Sequence, residues 1–568
     1  MVDADFDAGN WENTLVQDLC PHFAAKSGTS GGTSNGPLPN GTDIPNTLTN
    51  LFTSKSDDPA LIIPGKEDLT LSHHGLHKAI GDLQQRLAEL GIEKGSAVSI
   101  ALPNSLELIA VFLAATWQRG IAAPLNPSYK QAEFEFYIDD LGSALVVVPQ
   151  GAYKEDGPAI EAGQKYEAAI AECYWDGEKV VLDVKDKGKL KDKKEQKLLE
   201  AQKDDIALVL HTSGTTGRPK AVSSHISART HSNFLILLQV PLTHENLMSN
   251  IANICRTYSL TPEDRTMLIM PLFHVHGLLA SFLSPLYSGG SAIVPPRLEP
   301  TFWSTFTNHK ANWYSATPSM HRLILQFPPP NPLPSIRFIR SCSSQLPPSL
   351  FTQLQETFHA PIVESYAMTE ASHLMASNPL PPGEQKPGSI GLPRGVEMLL
   401  LDSDNNPVPD GSEGEVSVRG PNVTNGYLNN EEANASSFTP AGFFRTGDQG
   451  KFDKDGYLIL TGRLKEMINK GGEKISPVEL DNTISQHPDV AEVVCFAMDD
   501  EAYGQNVGCA VKFVEGKEVQ ERELKKWIGE QMAAFKVPEK IWVCENIPKT
   551  ATGKVQRRMV AEAMVKGN

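Results

Sequence analysis

Residues 211–220, HTSGTTGRPK, combine the side chains and the backbone freedom that hold a phosphate group. The two glycines, Gly214 and Gly217, allow positive φ angles and let the backbone come close to a ligand. The hydroxyl and ammonium groups of the loop belong to Thr212, Ser213, Thr215, Thr216 and Lys220. The Gly-x-x-x-x-Gly-Lys-Ser/Thr spacing of the Walker loop is missing, so an ordinary P-loop NTPase is a poor interpretation. A Gly/Ser/Thr run alone is more typical of a surface turn, so a phosphate-binding role needs support from other motifs in the chain.

Four further motifs follow, and together with the first they carry a resemblance to a known family. They read YAMTE at 366–370, RTGD at 445–448, TGRLKE at 461–466 and KTATGK at 549–554. In this order the five motifs resemble the signatures of the adenylate-forming superfamily, which includes acyl-CoA synthetases, peptide-synthetase adenylation domains and beetle luciferases. The resemblance runs from roughly residue 45 to the C-terminus. It implies an AMP-forming ligase that activates a carboxylic acid with ATP and transfers it to CoA.

The resemblance implies a role for residues in each motif. Lys554 would bridge the substrate carboxylate and the α-phosphate, where charge develops in the transition state. Glu370 would hold Mg²⁺ and Thr369 would reach a phosphate. Tyr366 would stack on adenine, and Asp448 would accept hydrogen bonds from both ribose hydroxyls. The remaining ATP contacts that the resemblance implies are Arg463, Ser344, Glu364 and Ser365, beside the phosphate loop.

A moving C-terminal domain is also implied, because one lysine cannot serve the first half-reaction and then leave the site unless its domain moves. Family members rotate this small domain after adenylation, and Lys465 occupies the hinge position. The rotation would bring Lys470, Gly471 and Gly472 to the site, where the bare backbone would line the channel for the CoA thiol.

The residues around the second motif bear on the choice of acid. The run EASHLMASNPLP at 370–381, with FHVH at 273–276 and RSCSS at 340–344, resembles the oxalate–CoA ligases, a branch that includes plant and fungal enzymes. His373, His274 and Ser343 would offer polar donors to a second carboxylate, which must not be buried unpaired. His274 is also counted among the catalytic residues, whereas His276 is equally compatible with a structural role. Another short-chain or an aromatic (coumarate-like) acid is the alternative to oxalate.

The elements that position these motifs alternate between helices and short apolar strands. Strands are predicted at 97–102, 144–148 and 206–210, and helices at 76–90 and 106–117. This alternation indicates doubly wound α/β subdomains. With the resemblance it gives an α/β fold with a large N-terminal adenylate-forming domain and a small mobile α+β C-terminal domain. The expected boundaries are a flexible tail at 1–45, an adenylation domain at 46–462, a hinge at 463–465 and a C-terminal lid domain at 466–568.

Residues 223–240, SSHISARTHSNFLILLQV, interrupt the expected continuation of the first motif. In the family, a strand ending like Lys220-Ala-Val runs promptly into a helix that begins like residues 242–247. Loops longer than about 12–15 residues are usually functional or disordered, and FLILL at 234–238 is too apolar for a free surface loop. Our hypothesis is a retained intron that has been translated, and a genuine lineage-specific loop is the alternative. A native peptide that runs from Lys220 to Thr243 without the segment would support the first.

Composition excludes several classes of protein. The 51 Lys and Arg residues against 68 Asp and Glu residues give a formal net charge of −17, so neither a nucleic acid nor an anionic membrane is expected as a partner. No apolar run reaches the ~20 residues of a membrane span, and the acidic N-terminus is unlike a targeting signal. The seven cysteines include no Cys-x-x-Cys pair, which favours free thiols. A cytoplasmic location is expected, with a peroxisome as the alternative despite the missing Ser-Lys-Leu-type signal.

Two interpretations outside this ligase class stay open. The insertion keeps open an adenylate-binding protein without turnover, although Lys554, Glu370 and Asp448 together favour catalysis. A peptide-synthetase module is also conceivable, although it would need a carrier domain, which we do not expect here. The oligomeric state is left open by the sequence.

Overall fold

Residues 46–52, 56–190, 197–213, 237–550 and 554–566 are described by the structure, a computed structural model. In this part of the chain no helix has the length and apolar character that crossing a membrane requires. The short 3₁₀ helices lie at Leu48–Asn50, Thr369–Ala371 and Ala534–Lys536. The predicted N-terminal tail at 1–45 lies outside the described residues.

A seven-stranded sheet carries the beginning of the phosphate motif. Its strands, in spatial order, are Val180–Asp186, Ala169–Trp175, Leu145–Pro149, Ala97–Ile100, Ile121–Pro124, Ile206–Ser213 and Leu237–Thr243. The inner pairs are parallel and both edge pairs are antiparallel. The helices of this region are His73–Glu89, Leu106–Trp117, Gln131–Leu141, Ala152–Glu155 and Pro158–Lys165. The strands and helices predicted from apolar periodicity are therefore confirmed, with shifts of a few residues at their ends.

A nine-stranded sheet carries the YAMTE motif and the residues proposed for the acid. Its strands, in spatial order, are Leu392–Pro393, Leu374–Ser377, Ile362–Ala367, Phe338–Ser341, Trp313–Ala316, Arg265–Met267, Ser291–Ile293, Pro59–Ile63 and Leu69–Ser72. The helices of this region are His244–Tyr258, Ser284–Tyr287, Phe302–Asn308, Pro318–Gln326 and Pro348–Phe358, and a π-helical segment spans His276–Leu283. The aromatic side chains of Phe302, Phe306 and Tyr314 form part of its fully buried core.

Two smaller sheets follow, and the first of them carries the RTGD motif and the beginning of TGRLKE. The first is antiparallel and runs in the order Glu397–Leu401, Gly414–Arg419, Phe444–Phe452 and Leu458–Arg463. The second runs Glu473–Ile475, Ile468–Lys470, Gly504–Phe513 and Val490–Asp500, and Lys540–Val543 pairs with Gly504–Phe513. The remaining helices are Glu431–Ser437, Pro477–Ile484, Glu521–Gln531 and Arg557–Lys566. The predicted α/β class, with a larger N-terminal and a smaller C-terminal part, is confirmed.

Residues 183–203 depart from the prediction. Their dense Lys, Asp and Glu content predicts a solvated, mobile excursion, but the strand Val180–Asp186 pairs with Ala169–Trp175. The prediction is wrong for 183–186 because an edge strand of a sheet accepts charged side chains. It also fails at residues 197–199, where the Gln118 side chain donates to the Lys197 carbonyl at 3.1 Å and accepts from the Leu199 amide at 3.2 Å.

The insertion at 223–240 ends inside the seven-stranded sheet. Residues 237–240 open the strand Leu237–Thr243, in which Val240 pairs with Leu210 and Gln239 with His211. The Gln239 carbonyl also accepts a hydrogen bond of 3.1 Å from the Leu428 amide. The rest of the insertion lies outside the described residues.

Candidate active site

Three motif residues meet where two small strands pair beside the nine-stranded sheet. Asp448 and Arg463 are register partners on adjacent strands, and Arg463 Nε lies 3.0 Å from Asp448 Oδ1. The buried Tyr366 hydroxyl donates to Asp448 Oδ2 at 2.5 Å. The charge of Asp448 raises the pKa of the Arg463 guanidinium. Residues from three separate motifs, predicted to contact adenine and ribose, are therefore in direct contact.

Glu370 joins the first motif to the second. Its buried Oε1 accepts hydrogen bonds from the Thr212 hydroxyl at 3.0 Å and from the Tyr427 hydroxyl at 3.2 Å. Burial raises the pKa of Glu370, because desolvation disfavours the carboxylate. Thr369 precedes it and is half-buried. A cation at this carboxylate would favour its charged form, so the environment of Glu370 suits a bound metal ion.

Lys554 lies in the last motif, close to these residues. Lys549 and Val555 form an isolated antiparallel β-bridge. The Lys554 amide donates to Thr550 Oγ1 at 3.1 Å, and the Thr550 amide donates to the Lys554 carbonyl at 2.8 Å. The positive charge of Arg463, followed by burial, lowers the pKa of Lys554 to about 8.

Carboxylates around the same amine act in the opposite direction. The negative charges of Asp448, Glu466 and Glu370 partly offset the lowering of the pKa of Lys554. A single ammonium group is thus influenced by residues of the second, third and fourth motifs. The structure brings the terminal lysine into the same site as Glu370 and Asp448.

Neutral histidines line a second part of the site. His276 is fully buried, with Nε2 2.6 Å from Ser315 Oγ and Nδ1 2.9 Å from Ser343 Oγ. The backbone amide of His276 donates to Nδ1 of the half-buried His274 at 3.2 Å. Burial and then the charge of Lys554 lower the pKa of His274 to about 4. His274 and Ser343, both predicted to contact the acid, are connected through His276.

His373 stacks on His276 with ring centroids 5.4 Å apart. Its Nε2 lies 3.0 Å from Nη2 of Arg340, which is itself fully buried. Arg340 also donates from Nε to the Tyr258 hydroxyl at 2.8 Å and from Nη1 to Ser315 Oγ at 3.1 Å. Burial, followed by the charge of Arg340, holds the pKa of His373 well below its usual range.

The other residues predicted to contact adenine lie near the end of the strand Ile362–Ala367. Glu364 is buried, and its Oε1 accepts from the Leu346 amide at 2.7 Å. Burial raises the pKa of Glu364 to about 8. The Ser365 hydroxyl donates to the Ser341 carbonyl at 3.2 Å, and Ser344 is exposed.

The predicted hinge and CoA residues follow Arg463 in the chain. Lys465 is exposed. The Lys470 amine lies 5.7 Å from the ring centre of Tyr503. Gly471 and Gly472 have φ angles of 61° and 99°, a region that favours glycine.

Most of the phosphate loop lies outside the described residues. This applies to Gly214, Thr215, Thr216, Gly217 and Lys220, and to the side chain of Ser213. Thr212 is the described part of the loop that reaches the site, through its bond to Glu370.

Four polar contributors were not assigned from the sequence: Tyr258, Ser315, Arg340 and Tyr427. The sequence did contain a signal for Arg340, because the strand FIRS at 338–341 places a charge in a buried strand.

The residues brought together in this site can bind a nucleotide beside a group of polar side chains and stabilise negative charge between them. Among the described residues no group of three His, Cys, Asp or Glu side chains could hold a metal ion. Mg²⁺ is commonly held by one or two carboxylates together with phosphate oxygens of the substrate, so a single carboxylate such as Glu370 is compatible with Mg²⁺.

Comparisons with known proteins agree with this arrangement. The model of the AMP-binding enzyme family matches residues 51–237 and 239–428, and that of the AMP-binding enzyme C-terminal domain matches residues 479–554. The chain is 41% identical to the oxalate–CoA ligase of Saccharomyces cerevisiae, covering 91% of this chain and 96% of that protein. It is 44% identical to the oxalate–CoA ligase of Arabidopsis thaliana, covering 91% and 97%. Among solved structures, ATP-bound MatB from Rhodopseudomonas palustris is similar, with a TM-score of 0.79 and 26% identity over 91% of this chain and 98% of that one.

Proposed function

The chain belongs to the AMP-binding enzyme family, and on that premise we propose that it is an acid–thiol ligase that makes oxalyl-CoA, AMP and pyrophosphate from oxalate, ATP and CoA. The observation that carries this proposal is that the Lys554 amine lies close enough to Arg463, Asp448 and Glu370 for their charges to act on its pKa. A protein that only binds a nucleotide has no need of a terminal lysine in the site.

In the first half-reaction, an oxalate oxygen attacks the α-phosphorus of ATP, and the bond to the β-phosphate oxygen breaks to release pyrophosphate. Lys554 would place its ammonium between the acid and the α-phosphate, where it stabilises the developing negative charge. Asp448 would accept hydrogen bonds from the ribose hydroxyls, and Tyr366 would contact the adenine. Mg²⁺, when bound, would offset charge on the triphosphate, and Glu370 would hold it with Thr369 close to a phosphate.

In the second half-reaction, the CoA sulfur attacks the activated carbonyl carbon and AMP leaves. The C-terminal part, residues 466–568 in this proposal, would rotate about a hinge at 463–465 against the adenylation domain at 46–462. That motion would withdraw Lys554 and bring Lys470, Gly471 and Gly472 to the site. The positive φ angles of both glycines support a backbone that can approach a thiol channel closely.

Oxalate is proposed because the described side chains predicted to contact the acid are polar and neutral and lie beside the buried cation Arg340. Three side chains, His274, Ser343 and His373, present polar atoms rather than an apolar wall. A planar aromatic or long-chain acid would leave these groups without partners, which costs about 1–3 kcal/mol each. The names of the relatives from yeast and Arabidopsis support the same acid.

The proposed enzyme would use small molecules alone, with no nucleic acid or membrane, and would work in the cytoplasm. The unpaired thiols of the described cysteines would suit a reducing compartment.

The test is a pyrophosphate-release assay with a panel of acids, with and without CoA, followed by mass spectrometry of the thioester. Oxalate should give the highest kcat/KM, and acetate, malonate and coumarate should be poor substrates. The assay should be run on the full chain and on a variant lacking residues 223–240. If both proteins release AMP with an aromatic acid and none with oxalate, the proposed acid is wrong; if neither releases AMP with any acid, the proposed activity is wrong.

A further inference from the structure

Arg340 is a fully buried cation whose three hydrogen bonds to nitrogen or oxygen atoms of described side chains all go to neutral groups, and the Cys342 thiol is a further neutral neighbour. The three hydrogen-bonded groups are the Tyr258 hydroxyl, the Ser315 hydroxyl and His373 Nε2. None of the ion pairs found in the described parts of the chain includes Arg340. A buried charge without an opposite charge is costly to maintain. The position of Arg340 beside the acid pocket therefore calls for an explanation beyond folding.

The first set of contacts fixes the proton on His373. A guanidinium has only donors, so His373 Nε2 must be the acceptor in the 3.0 Å contact with Arg340. A neutral imidazole with an accepting Nε2 carries its hydrogen on Nδ1. His373 Nδ1 is buried and has no hydrogen-bond partner among the described residues. His373 thus keeps an N–H donor that no described group of the protein satisfies.

The second set of contacts runs through Ser315. Arg340 Nη1 donates to Ser315 Oγ, and the other hydrogen-bond contact of this buried hydroxyl among the described residues is His276 Nε2 at 2.6 Å, so the Ser315 hydrogen finds an acceptor only if it is directed to His276. His276 then carries its hydrogen on Nδ1 and donates to Ser343 Oγ at 2.9 Å. The Ser343 hydroxyl hydrogen is left for another acceptor. Its backbone φ of 74° shows that the local fold holds this residue in an uncommon conformation.

His274 also presents an N–H donor. Its Nδ1 accepts from the His276 amide, so a neutral ring carries its hydrogen on Nε2. The three side chains proposed to contact the acid therefore each present a hydrogen as donor. An array of donors suits a carboxylate, which is an acceptor only.

We propose that Arg340 is a positioning residue that, without touching the substrate, fixes the hydrogens of His373 and His276 so that the pocket offers only donors to the non-reacting carboxylate of a dicarboxylic acid. This inference rests on the proposed ligase function and deepens it. The buried charge of Arg340 also supplies the long-range countercharge for a substrate that carries two negative charges.

The test compares Arg340→Gln with the wild type. An amide can both donate and accept, so the hydrogens of His373 and His276 are no longer directed. We expect KM for oxalate to rise about 10- to 100-fold, as for the loss of a charge-assisted network, and KM for ATP to change much less. In ¹⁵N-histidine NMR spectra, the His373 signals should change from a single Nδ1–H tautomer to a mixture, with assignment through His373→Gln.

A pH profile separates this role from a purely structural one. The groups whose charges act on His373 are Arg340, His276 and His274. Burial is the larger cause of the lowered pKa of His373 and stays in place in Arg340→Gln, but loss of the positive charge still raises that pKa, so lowering the pH from about 8 to about 6 protonates more of the His373 rings in the variant than in the wild type. Protonated rings donate from both nitrogens, so between about pH 8 and about pH 6 KM for oxalate should improve more in Arg340→Gln than in the wild type, in which Lys554 alone sets the change.

Arg337→Gln is the matched control, because Arg337 lies next to the same strand but pairs with Asp264. It should alter stability without altering KM for oxalate. If Arg340→Gln does not fold, Ser315→Ala tests the second set of contacts, and the His276 tautomer should become mixed. An unchanged KM for oxalate and unchanged tautomers in a folded Arg340→Gln or Ser315→Ala protein would overturn the inference. A wild type that turns over no dicarboxylic acid would instead overturn the proposed function.

Discussion

An ion pair between Arg322 and Glu492 connects the nine-stranded sheet region to the C-terminal part that bears Lys554. Arg322, on the helix Pro318–Gln326, places Nη1 3.8 Å from Glu492 Oε1 on the strand Val490–Asp500. Glu492 also accepts the Lys549 ammonium at 3.0 Å, five residues before Lys554. These contacts are present in the structure, in which Lys554 lies in the site as the proposed first half-reaction requires. We predict that Arg322→Gln slows adenylation and leaves thioester formation from a preformed adenylate unchanged.

The size of the effect follows from the exposure of the pair. The two side chains are 32% and 14% exposed, and at an effective dielectric constant of about 20 two charges 3.8 Å apart attract by roughly 4 kcal/mol. Desolvation and loss of side-chain freedom offset most of this attraction, so a net contribution of about 1 kcal/mol is expected. That value corresponds to a roughly 5-fold smaller population of the adenylating arrangement.

The assay is single-turnover formation of the adenylate in a quench-flow experiment, with Arg558→Gln as the control. Arg558 pairs with Glu562 on the helix Arg557–Lys566, where both side chains are exposed, so its loss should change nothing measurable. A double-mutant cycle of Arg322→Gln and Glu492→Gln should give a coupling of about 1 kcal/mol. Equal adenylation rates in Arg322→Gln and Arg558→Gln would refute this reasoning.

Three further predictions follow from the site and the insertion. Lys554 acts as a cation with a pKa of about 8, so kcat/KM for the acid should fall as the pH rises through about 8. Because the charge of Arg463 lowers this pKa, Arg463→Met should move the fall in kcat/KM to higher pH, and a move to lower pH would contradict this role of Arg463. Burial raises the pKa of Glu364 to about 8, so its contribution to stability is fully present below its ordinary pKa of 4.5 and is lost as the pH rises through about 8. The melting temperature should therefore decline less steeply between pH 4.5 and about pH 8 in Glu364→Gln than in the wild type, and equal slopes in the two proteins count against this cause. Deleting residues 223–240 places Val222 directly before Pro241, in the position that Val240 occupies in the full chain. The shortened protein should therefore fold, and it should adenylate the acid at least as fast as the full chain. A misfolded product in circular dichroism would favour a genuine loop.

Much of the architecture could be predicted from local pattern. The helix Leu106–Trp117 was predicted at those residues, and the structure adds that the Ser105 side chain caps it by accepting a hydrogen bond from the Leu108 amide. The strand Ile206–Ser213 was expected as a short apolar run that ends in the phosphate motif. The residues 183–186 were missed because charge content outweighed the alternation of an edge strand.

The acid pocket could be predicted only in part. His274, Ser343 and His373 were identified through resemblance, yet nothing local in the sequence shows that Arg340 contacts His373. That contact joins residues 33 positions apart. Close to the two partners in the chain, Ser343 and Ser372 have positive φ angles of 74° and 60°, which sequence pattern does not reveal. Long-range polar contacts of this kind are created by the tertiary fold.

The central claim is that the acid becomes electrophilic by bonding to the α-phosphorus of ATP. Oxalate labelled with ¹⁸O, incubated with the enzyme, ATP, Mg²⁺ and CoA, tests it through mass spectrometry of the released AMP. The account predicts one ¹⁸O atom in AMP for each oxalyl-CoA formed, and loss of both products in Lys554→Met. Thioester formation with unlabelled AMP, or with ADP and phosphate as products, would contradict it.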